Sequence, residues 1–214
     1  MPLTDRARPR RTQAERSAAT QARLVDATIG CLVDHGYAGT TTPAVCRRAG
    51  VSHGSLLHHY GTRERLLGAA LEVVHARLRR QVVSRLEQLP EGPARVEAIV
   101  DLMWSAFGSR EYKAVLELWL AAANQPEVSW AVWPEARAFD ASSEPLAERL
   151  FPEAASRVPE FTVYVSLIFQ VMQGMGLARA TLPTHPAAGE MRGRVRALLT
   201  RILREVFAGD GPGP

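Results

Sequence analysis

Residues 41–60, TTPAVCRRAGVSHGSLLHHY, constrain the fold of this chain more than any other stretch. Thr41 precedes an apolar segment, and its hydroxyl can cap a helix that ends at Gly50, a residue that readily takes the left-handed conformation. Ser52 can cap a second short helix in which Leu56 is spaced to face inward. Two short helices that meet at a sharp turn, the second with a polar outer face, are typical of a helix-turn-helix that enters the DNA major groove.

The charge of the chain is concentrated around this pair of helices. The 214 residues carry a net charge of +4, but residues 1–63 hold nine arginines and four acids, and the remaining residues sum to −1. A basic segment of this kind is what phosphate binding requires. A helical hairpin without a DNA function is the alternative for the motif alone, and the charge distribution favours DNA binding.

The rest of the chain is predicted to be helical. Thr12-x-x-Glu15 is a capping-box sequence that predicts a helix over 12–35, and another is expected over 62–89, about 40 Å long. Glycine and proline positions then separate predicted helices over 93–108, 110–124, 127–150, 159–181 and 187–207. Because no alternating strand pattern and no internal repeat are present, the fold class is predicted to be all-α.

Membrane and secreted proteins are not indicated by this sequence. No run of about 18 uncharged apolar residues is recognised, so no membrane span or membrane partner is expected. The N-terminus lacks the apolar segment of a secretory signal. Cys31 and Cys46 fall on apolar helical faces, where packing in the core is expected rather than a disulfide. A cytoplasmic protein is therefore predicted.

No catalytic or metal-binding pattern is found either. The neighbouring His58 and His59 point about 100° apart on a helix, and no cysteine or carboxylate completes a tetrahedral set with them. Serine–histidine–aspartate sets, paired catalytic carboxylates and phosphate-binding glycine loops are absent from the sequence. We therefore predict no enzyme, no cofactor and no metal, and a helical enzyme that merely includes a hairpin is the disfavoured alternative.

Four ordered motifs resemble the N-terminal domain of the tetracycline-repressor (TetR) family. They are RLVDA at 23–27, GYAGTT at 36–41, RAGVSHGSL at 48–56 and HHYGTRERLL at 58–67. The resemblance implies a three-helix DNA-binding domain over 12–63, followed by a helical domain over 64–214 that binds an effector and dimerises. Residues 1–11 are expected to form a flexible basic arm, for which a solvated tail is the alternative.

The resemblance also implies which residues contact DNA. Carried over position by position, they are Thr41, Thr42, Pro43, Ser52, His53, Gly54, Ser55, Leu57, His58 and Arg63. Ser55 is expected to reach a base edge or a phosphate, and His58 and Arg63 to reach phosphates. Leu57 departs from the family, which usually has tyrosine there, and it could pack against a thymine methyl group instead.

Bulky side chains cluster in the second part of the chain. The candidates for ligand binding are Trp104, Phe107, Trp119, Trp130, Trp133, Tyr164, Phe169, Met172 and Met175. Ordinary core packing is the alternative for each of them. In a family that binds ligands in this region, the set indicates a pocket for a small, largely apolar or aromatic molecule. The last two predicted helices carry apolar stripes that could form a four-helix dimer interface.

The resemblance implies a ligand-responsive transcriptional regulator that acts as a homodimer. Following the family, we expect most often a repressor, which binds a roughly palindromic double-stranded DNA operator and is released by a small-molecule effector. A ligand-independent accessory or nucleoid DNA-binding protein is the alternative. The sequence indicates neither the effector nor the operator.

Overall fold

Eleven α-helices and one π-helical turn make up the parts of the chain that the structure, a computed structural model, describes: residues 12–85, 88–91, 93–181 and 186–208. The helices are α1 (Gln13–Gly39), α2 (Thr42–Ala49), α3 (His53–Tyr60), α4 (Arg63–Val83), α5 (Pro93–Phe107), α6 (Arg110–Asn124), α7 (Pro126–Ala141), α8 (Ser143–Leu150), α9 (Pro152–Arg157), α10 (Phe161–Thr181) and α11 (Pro186–Leu203), and the turn spans Arg204–Ala208. No strand occurs within these ranges, so the all-α prediction is confirmed. The predicted arm over 1–11 lies outside the described residues.

The helix ends in the N-terminal part follow the predicted caps. Thr12 and Glu15 form the capping box, with the Thr12 hydroxyl accepting from the Glu15 amide at 3.2 Å and the Glu15 carboxylate accepting from the Thr12 amide at 2.7 Å. α2 ends at Gly50, whose φ of 64° lies in the left-handed region. α1 runs to Gly39 rather than ending near residue 35, because the chain kinks at Gly36 (φ 68°) and then resumes a helical path.

A single apolar core joins α1 to α4. Leu24 and Leu32 of α1, Val45 of α2, Leu56 of α3 and Leu71 of α4 are all almost completely buried. Each helix contributes residues from one face, and burial of that face stabilises helices too short to form alone. This core fixes the position of α3 relative to α1 and α4.

α4 is shorter than predicted. It begins at Arg63, where the Thr62 hydroxyl accepts from the Arg65 amide at 3.2 Å, and ends at Val83 rather than near residue 89. At 1.5 Å per residue its 21 residues span about 32 Å. Val82 is its last buried residue, and Ser84 and Arg85 are exposed, so the buried stripe of the helix ends at Val82.

The second part of the chain packs onto α1 and α4. α6 contacts α1, α4 and α7, and α5 lies between α4 and the pair α10 and α11. The single helix predicted over 127–150 is in fact two, α7 and α8, which separate at Ser142. The Ser142 hydroxyl donates to the Phe139 carbonyl at 2.6 Å, a local bond that competes with helix continuation. The short α9 was not predicted.

α10 corrects the expectation that no segment is apolar enough to cross a membrane. By length and composition this 21-residue helix could cross a membrane, although only 22% of its apolar stretch is buried in the protomer. Serine, threonine and glutamine residues interrupt the apolar run in the sequence, which is why it was not predicted. One side of α10 packs on α5, α6 and α8, while Val163, Leu167 and Leu177 are exposed on the other. The helix therefore has an apolar face that no described residue covers.

Candidate nucleic-acid interface and body cavities

α3 is anchored by one leucine and presents a mostly polar face. The Ser52 hydroxyl caps the helix by accepting from the Ser55 amide at 3.1 Å. Leu56 is 1% exposed, whereas the adjacent Leu57 is 45% exposed. His53 and His58 lie on the exposed side with Leu57. The helix therefore offers imidazole groups and one methyl-rich side chain to a partner without giving up its core contact.

The start of α2 forms a second exposed surface. Thr41 caps the helix by accepting from the Ala44 amide at 3.4 Å, and Thr41 and Pro43 are exposed while Thr42 is half-buried. Arg47, on the same helix, is exposed, and its guanidinium makes no hydrogen bond or ion pair with any residue in the described ranges. Arg47 is absent from the residues predicted from sequence, although its place one residue after the buried Cys46 could have indicated it.

Two other arginines of this region, Arg48 and Arg63, bond to other residues of the protein. Arg48 pairs with Asp34 at 2.7 Å, and this hydrogen bond holds the pKa of the Asp34 carboxyl below its usual range. Arg63 donates to the Thr40 carbonyl at 3.0 Å, to the Tyr37 carbonyl at 3.2 Å and to the Tyr37 hydroxyl at 2.8 Å. Arg63 therefore holds the connection between α1 and α2.

The same connection is tied to the second part of the chain, which we call the body (residues 64–214). The Tyr37 amide donates to the Glu117 carboxylate at 2.8 Å, and the Tyr37 hydroxyl donates to Gln125 at 2.6 Å. Lys113 donates to the Val33 carbonyl at 2.8 Å. We call the set Tyr37, Arg63, Glu117 and Gln125 the joint, because it links α1, α4 and α6 by polar bonds.

Two adjoining apolar clefts lie inside the body. The first has a volume of about 40 Å³ between α4, α5, α7, α8 and α10, and the second about 70 Å³, mostly between α5, α8 and α10. They share Met103, Ser143, Leu146 and Phe169 in their walls. A third cleft of about 10 Å³ lies between α5, α10 and α11. Apolar walls with a few polar groups are typical of small-molecule sites.

A row of ring contacts runs behind the first cleft. His75 stacks on Phe139 at 4.0 Å, Phe139 approaches Phe169 at 5.8 Å, and Phe169 meets the edge of Phe107 at 5.1 Å. His75 lies in the buried stripe of α4, and burial lowers its pKa to about 4. It is therefore neutral at pH 7 and bonds Glu135 at 3.1 Å. The sequence signal that could have identified it is a histidine in an apolar helical stripe.

The family can be assigned on this geometry. The family model described as "Bacterial regulatory proteins, tetR family" matches residues 24–70, which run from the buried face of α1 through α2 and α3 into α4. Residues 24–70 are a DNA-binding domain of the TetR family. The protein is a transcriptional regulator whose DNA-binding helix-turn-helix is the pair α2 and α3.

Relatives that match about nine tenths of this chain are found in sequence and in structure. An HTH-type transcriptional regulator of Mycobacterium tuberculosis is 29% identical over 197 residues, which cover 90% of this chain and 99% of the relative. A transcriptional regulator from Rhodococcus shares the fold, with a TM-score of 0.70 and 19% identity over 91% of this chain and 99% of that one. The multidrug binding protein EbrR complexed with imidazole has a TM-score of 0.61 and 22% identity, with coverages of 85% and 93%.

The residues predicted to contact DNA do not all lie on one open surface of this TetR-family domain. His53, Gly54, Leu57 and His58 are exposed on α3, and Ser55 is half-buried. Ser52 is exposed but its hydroxyl serves as the cap of α3, and Arg63 is turned toward the joint. The DNA contacts themselves remain predictions.

The predicted ligand residues divide into two groups. Phe107, Phe169, Met172, Trp104 and Met175 line one or more of the three clefts. The remaining four residues line none of these clefts. Trp130 is 52% exposed on α7, Trp119 meets the edge of Tyr112 at 6.4 Å, and Trp133 and Tyr164 pack against the core. For this second group, ligand binding stays a prediction.

Metal binding has no support in the described ranges. No three histidine, cysteine, aspartate or glutamate residues there come together as a possible metal site. Cys31 and Cys46 are free and buried, and burial raises the pKa of both thiols. Their predicted role in the core is confirmed.

Proposed function

We propose that this protein is a homodimeric repressor that binds a roughly palindromic operator and leaves it when a small, largely apolar or aromatic effector enters the body. The observation that carries the proposal is the way in which α3 is held in the fold. Leu56 fixes this helix in the core, its outer side chains are open, and α4 and the joint connect it to a body with apolar clefts. Residues 12–63 serve as the DNA-binding domain and 64–214 as the effector-binding and dimerisation domain.

The DNA-binding role is assigned to two sets of residues. His53, Ser55, Leu57 and His58 meet base edges and phosphates in the major groove, and Gly54 lets the backbone come close. Thr41, Thr42 and Pro43 lie along the phosphate backbone, where the exposed Arg47 adds a charge. In a dimer, the two α3 helices would be about 34 Å apart, one turn of B-DNA.

Dimerisation is assigned to α10 and α11, the last two helices. Their exposed apolar side chains are Val163, Leu167, Leu177, Met191 and Leu198. An exposed apolar face of this kind on two neighbouring helices supports an isologous four-helix interface. The same interface accounts for the membrane-like composition of α10 without a membrane partner, in keeping with a cytoplasmic protein.

Effector binding is assigned to the two adjoining clefts. Their walls are almost entirely apolar and include Met103, Phe139 and Phe169. α4 forms one wall of the first cleft through Leu78 and Val82 and carries Arg63 of the joint at its other end. A ligand that displaces α4 therefore moves the DNA-binding domain. A difference in affinity between the two states of about 1–3 kcal/mol is enough for regulation.

The direct test is fluorescence anisotropy with the duplex upstream of the protein's own gene and a shuffled duplex of equal length. We expect tight, sequence-dependent binding that weakens as salt is raised. Leu57→Ala should change the preferred sequence in a selection from random duplexes. Leu120→Ala, which alters an equally exposed leucine of the body, should leave it unchanged.

Equal binding to both duplexes would overturn the proposal in favour of a nucleoid or accessory DNA-binding protein. The effector part is tested separately by titrating apolar and aromatic compounds into the protein–DNA complex. Release of DNA by at least one compound at a saturable site is expected. If every compound that binds leaves the complex intact, the regulator is not effector-released.

A further inference from the structure

We infer that the third cleft, between α5, α10 and α11, binds the acidic group of an amphipathic organic anion whose apolar part lies in the adjoining clefts. The inference rests on the proposed function because it specifies the chemical class of the effector. Arg179 and Arg192 carry it, and both line this narrow cleft.

Neither arginine has a partner among the described residues. Arg192 keeps one guanidinium nitrogen, Nη1, buried without a hydrogen bond. Two other arginines of the C-terminal region have carboxylate partners, since Arg196 pairs with Asp101 and Arg204 with Glu97, although Nε of Arg204 is also buried without a hydrogen bond. A buried donor on a charged group is costly when it is unpaired, and an anion in the cleft would supply the missing acceptor.

The two arginines lie on the packed sides of their helices. Arg179 follows the buried Met172 by two helical turns, and Arg192 precedes the buried Leu199 by two turns. Residues seven apart share a helical face. Arg192 is half-buried there, whereas Arg179 is exposed. The exposed Leu167 and Leu198 lie on other sides of these helices.

Glycines make room for this arrangement at two positions. A Cβ atom on Gly108 would lie 2.7 Å from Nη1 of Arg179, so the guanidinium occupies space that any other residue would fill. A Cβ atom on Gly176 would lie 2.7 Å from the Phe107 carbonyl, so α10 approaches α5 closely only because this residue is glycine. Arg179 is thereby held over the C-terminal end of α5.

The apolar side of the cleft determines the ligand class. Phe107 also lines the first cleft and Met172 the second, so the charged site shares apolar walls with both of them. Guanidinium groups bind carboxylates through paired hydrogen bonds, and phosphates in the same way. The ligand predicted by this arrangement has one such acidic group joined to an aliphatic or aromatic body.

The test is a set of titrations followed by the fluorescence of Trp104 and its neighbours and by calorimetry. The probes are 4-phenylbutyrate, octanoate, the neutral 4-phenylbutanamide and inorganic phosphate. We expect both acids to bind and the amide and phosphate to bind at least about tenfold more weakly. Arg192→Gln should lower acid affinity about 10- to 100-fold and leave amide binding unchanged.

Arg194→Gln is the matched control, because Arg194 is exposed on the same helix and lines none of the three clefts. Arg179→Gln repeats the test at an exposed position, where the fold is not at risk. Failure of both acids to bind, equal binding of acid and amide, phosphate binding as tight as the acids, or unchanged acid affinity in both cleft variants would overturn the inference.

The outcomes separate this inference from the proposed function. If the acids bind as expected but leave the DNA complex intact, the anion site is real and effector release fails. If neutral compounds release DNA and the acids do not bind, effector release stands and the anion site fails.

Discussion

Arg63 illustrates how the role of a side chain depends on neighbours that are distant in sequence. The family pattern assigns it to a phosphate, yet its nitrogens donate to Thr40 and Tyr37, and its guanidinium lies 4.4 Å from the centre of the Tyr37 ring. Its bonds satisfy two backbone carbonyls at the connection between α1 and α2. Arg63 is thus placed to position the DNA-binding helices.

We therefore expect Arg63→Ala to lower the free energy of unfolding by about 2 kcal/mol, because two carbonyls lose a charged donor. DNA affinity should fall without a change in its salt dependence. Arg47→Ala is the contrasting variant, since its exposed guanidinium has no internal partner in the described ranges. It should lower the slope of log K against log salt by about one and leave stability almost unchanged.

Urea unfolding and anisotropy over a range of salt concentrations measure these effects. A lower salt slope for Arg63→Ala at unchanged stability would instead place Arg63 on a phosphate, as the family pattern implies.

His75 makes stability depend on pH. Burial lowers its folded pKa to about 4, below the ordinary value of 6.5 in an unfolded chain. Between these values the unfolded chain binds more protons, so this group's contribution to stability is lost as the pH falls from 6.5 toward 4. The carboxyls of Glu135 and Asp140, whose pKa values burial raises, oppose the trend because they take up protons in the folded state first.

His75→Phe should remove this pH dependence while keeping the stacking on Phe139. Relative to the variant, the wild-type protein should lose about 2 kcal/mol of unfolding free energy between pH 7 and pH 5. Chemical denaturation of both proteins at equal concentration and at several pH values measures the difference. A constant difference from pH 7 to pH 5 would show that His75 does not titrate in this way.

α3 shows how a helix of eight residues can be well placed without being stable alone. Isolated helices of this length do not persist in water. Ser52 caps its start, Leu56 anchors its inner face, and Gly61 ends it with a positive φ of 74°. Because the cap, the buried leucine and the terminal glycine hold the helix in place, its outer side chains are not needed for the fold and are available to contact DNA.

Gly54→Ala separates the stability of α3 from its function. The nearest heavy atom to an added Cβ is 4.0 Å away, so the substitution fits and should raise stability by about 0.5 kcal/mol. The added methyl group should nevertheless weaken DNA binding about tenfold if the backbone closely approaches the DNA here. Gly193→Ala on α11, which also has open space around it, should stabilise similarly without affecting DNA.

Thermal unfolding and anisotropy of the two variants provide the comparison. Wild-type DNA affinity in Gly54→Ala would contradict the close approach of the backbone at this residue.

The exposed apolar face of α10 and α11 is the surface through which we propose that two protomers pair. In the protomer, Leu167 is 56% exposed and belongs to a set of apolar side chains on these two helices. A face of this kind is rarely left open in a soluble regulator. The isologous pairing that we propose would place each such residue near its copy.

Leu167→Glu should therefore convert the dimer to a monomer, because it places like charges in the apolar interface. Native mass spectrometry and light scattering measure the change. Affinity for a full operator should fall at least about 100-fold as the second DNA contact is lost. Leu120→Glu alters a leucine that is 57% exposed on α6, and it should remain dimeric. A dimeric Leu167→Glu would exclude this face.

Features that depend on near neighbours follow from the amino-acid sequence alone. The capping box at Thr12, the Gly50 break and the Ser52 cap each involve residues within a few positions of one another, so local chemistry is enough to predict the helix-turn-helix. The inward placement of Leu56 follows from helical periodicity in the same way.

Features that depend on distant contacts are set by the tertiary fold and could not be predicted from the sequence. The engagement of Arg63 in the joint, the exposure of Trp130, the division between α7 and α8 and the unpaired guanidinium of Arg192 all depend on which helices come together. Local propensity fixes where a helix starts and which face is apolar. Whether that face meets a core, a ligand or a second chain is decided by packing between residues that can be tens of positions apart.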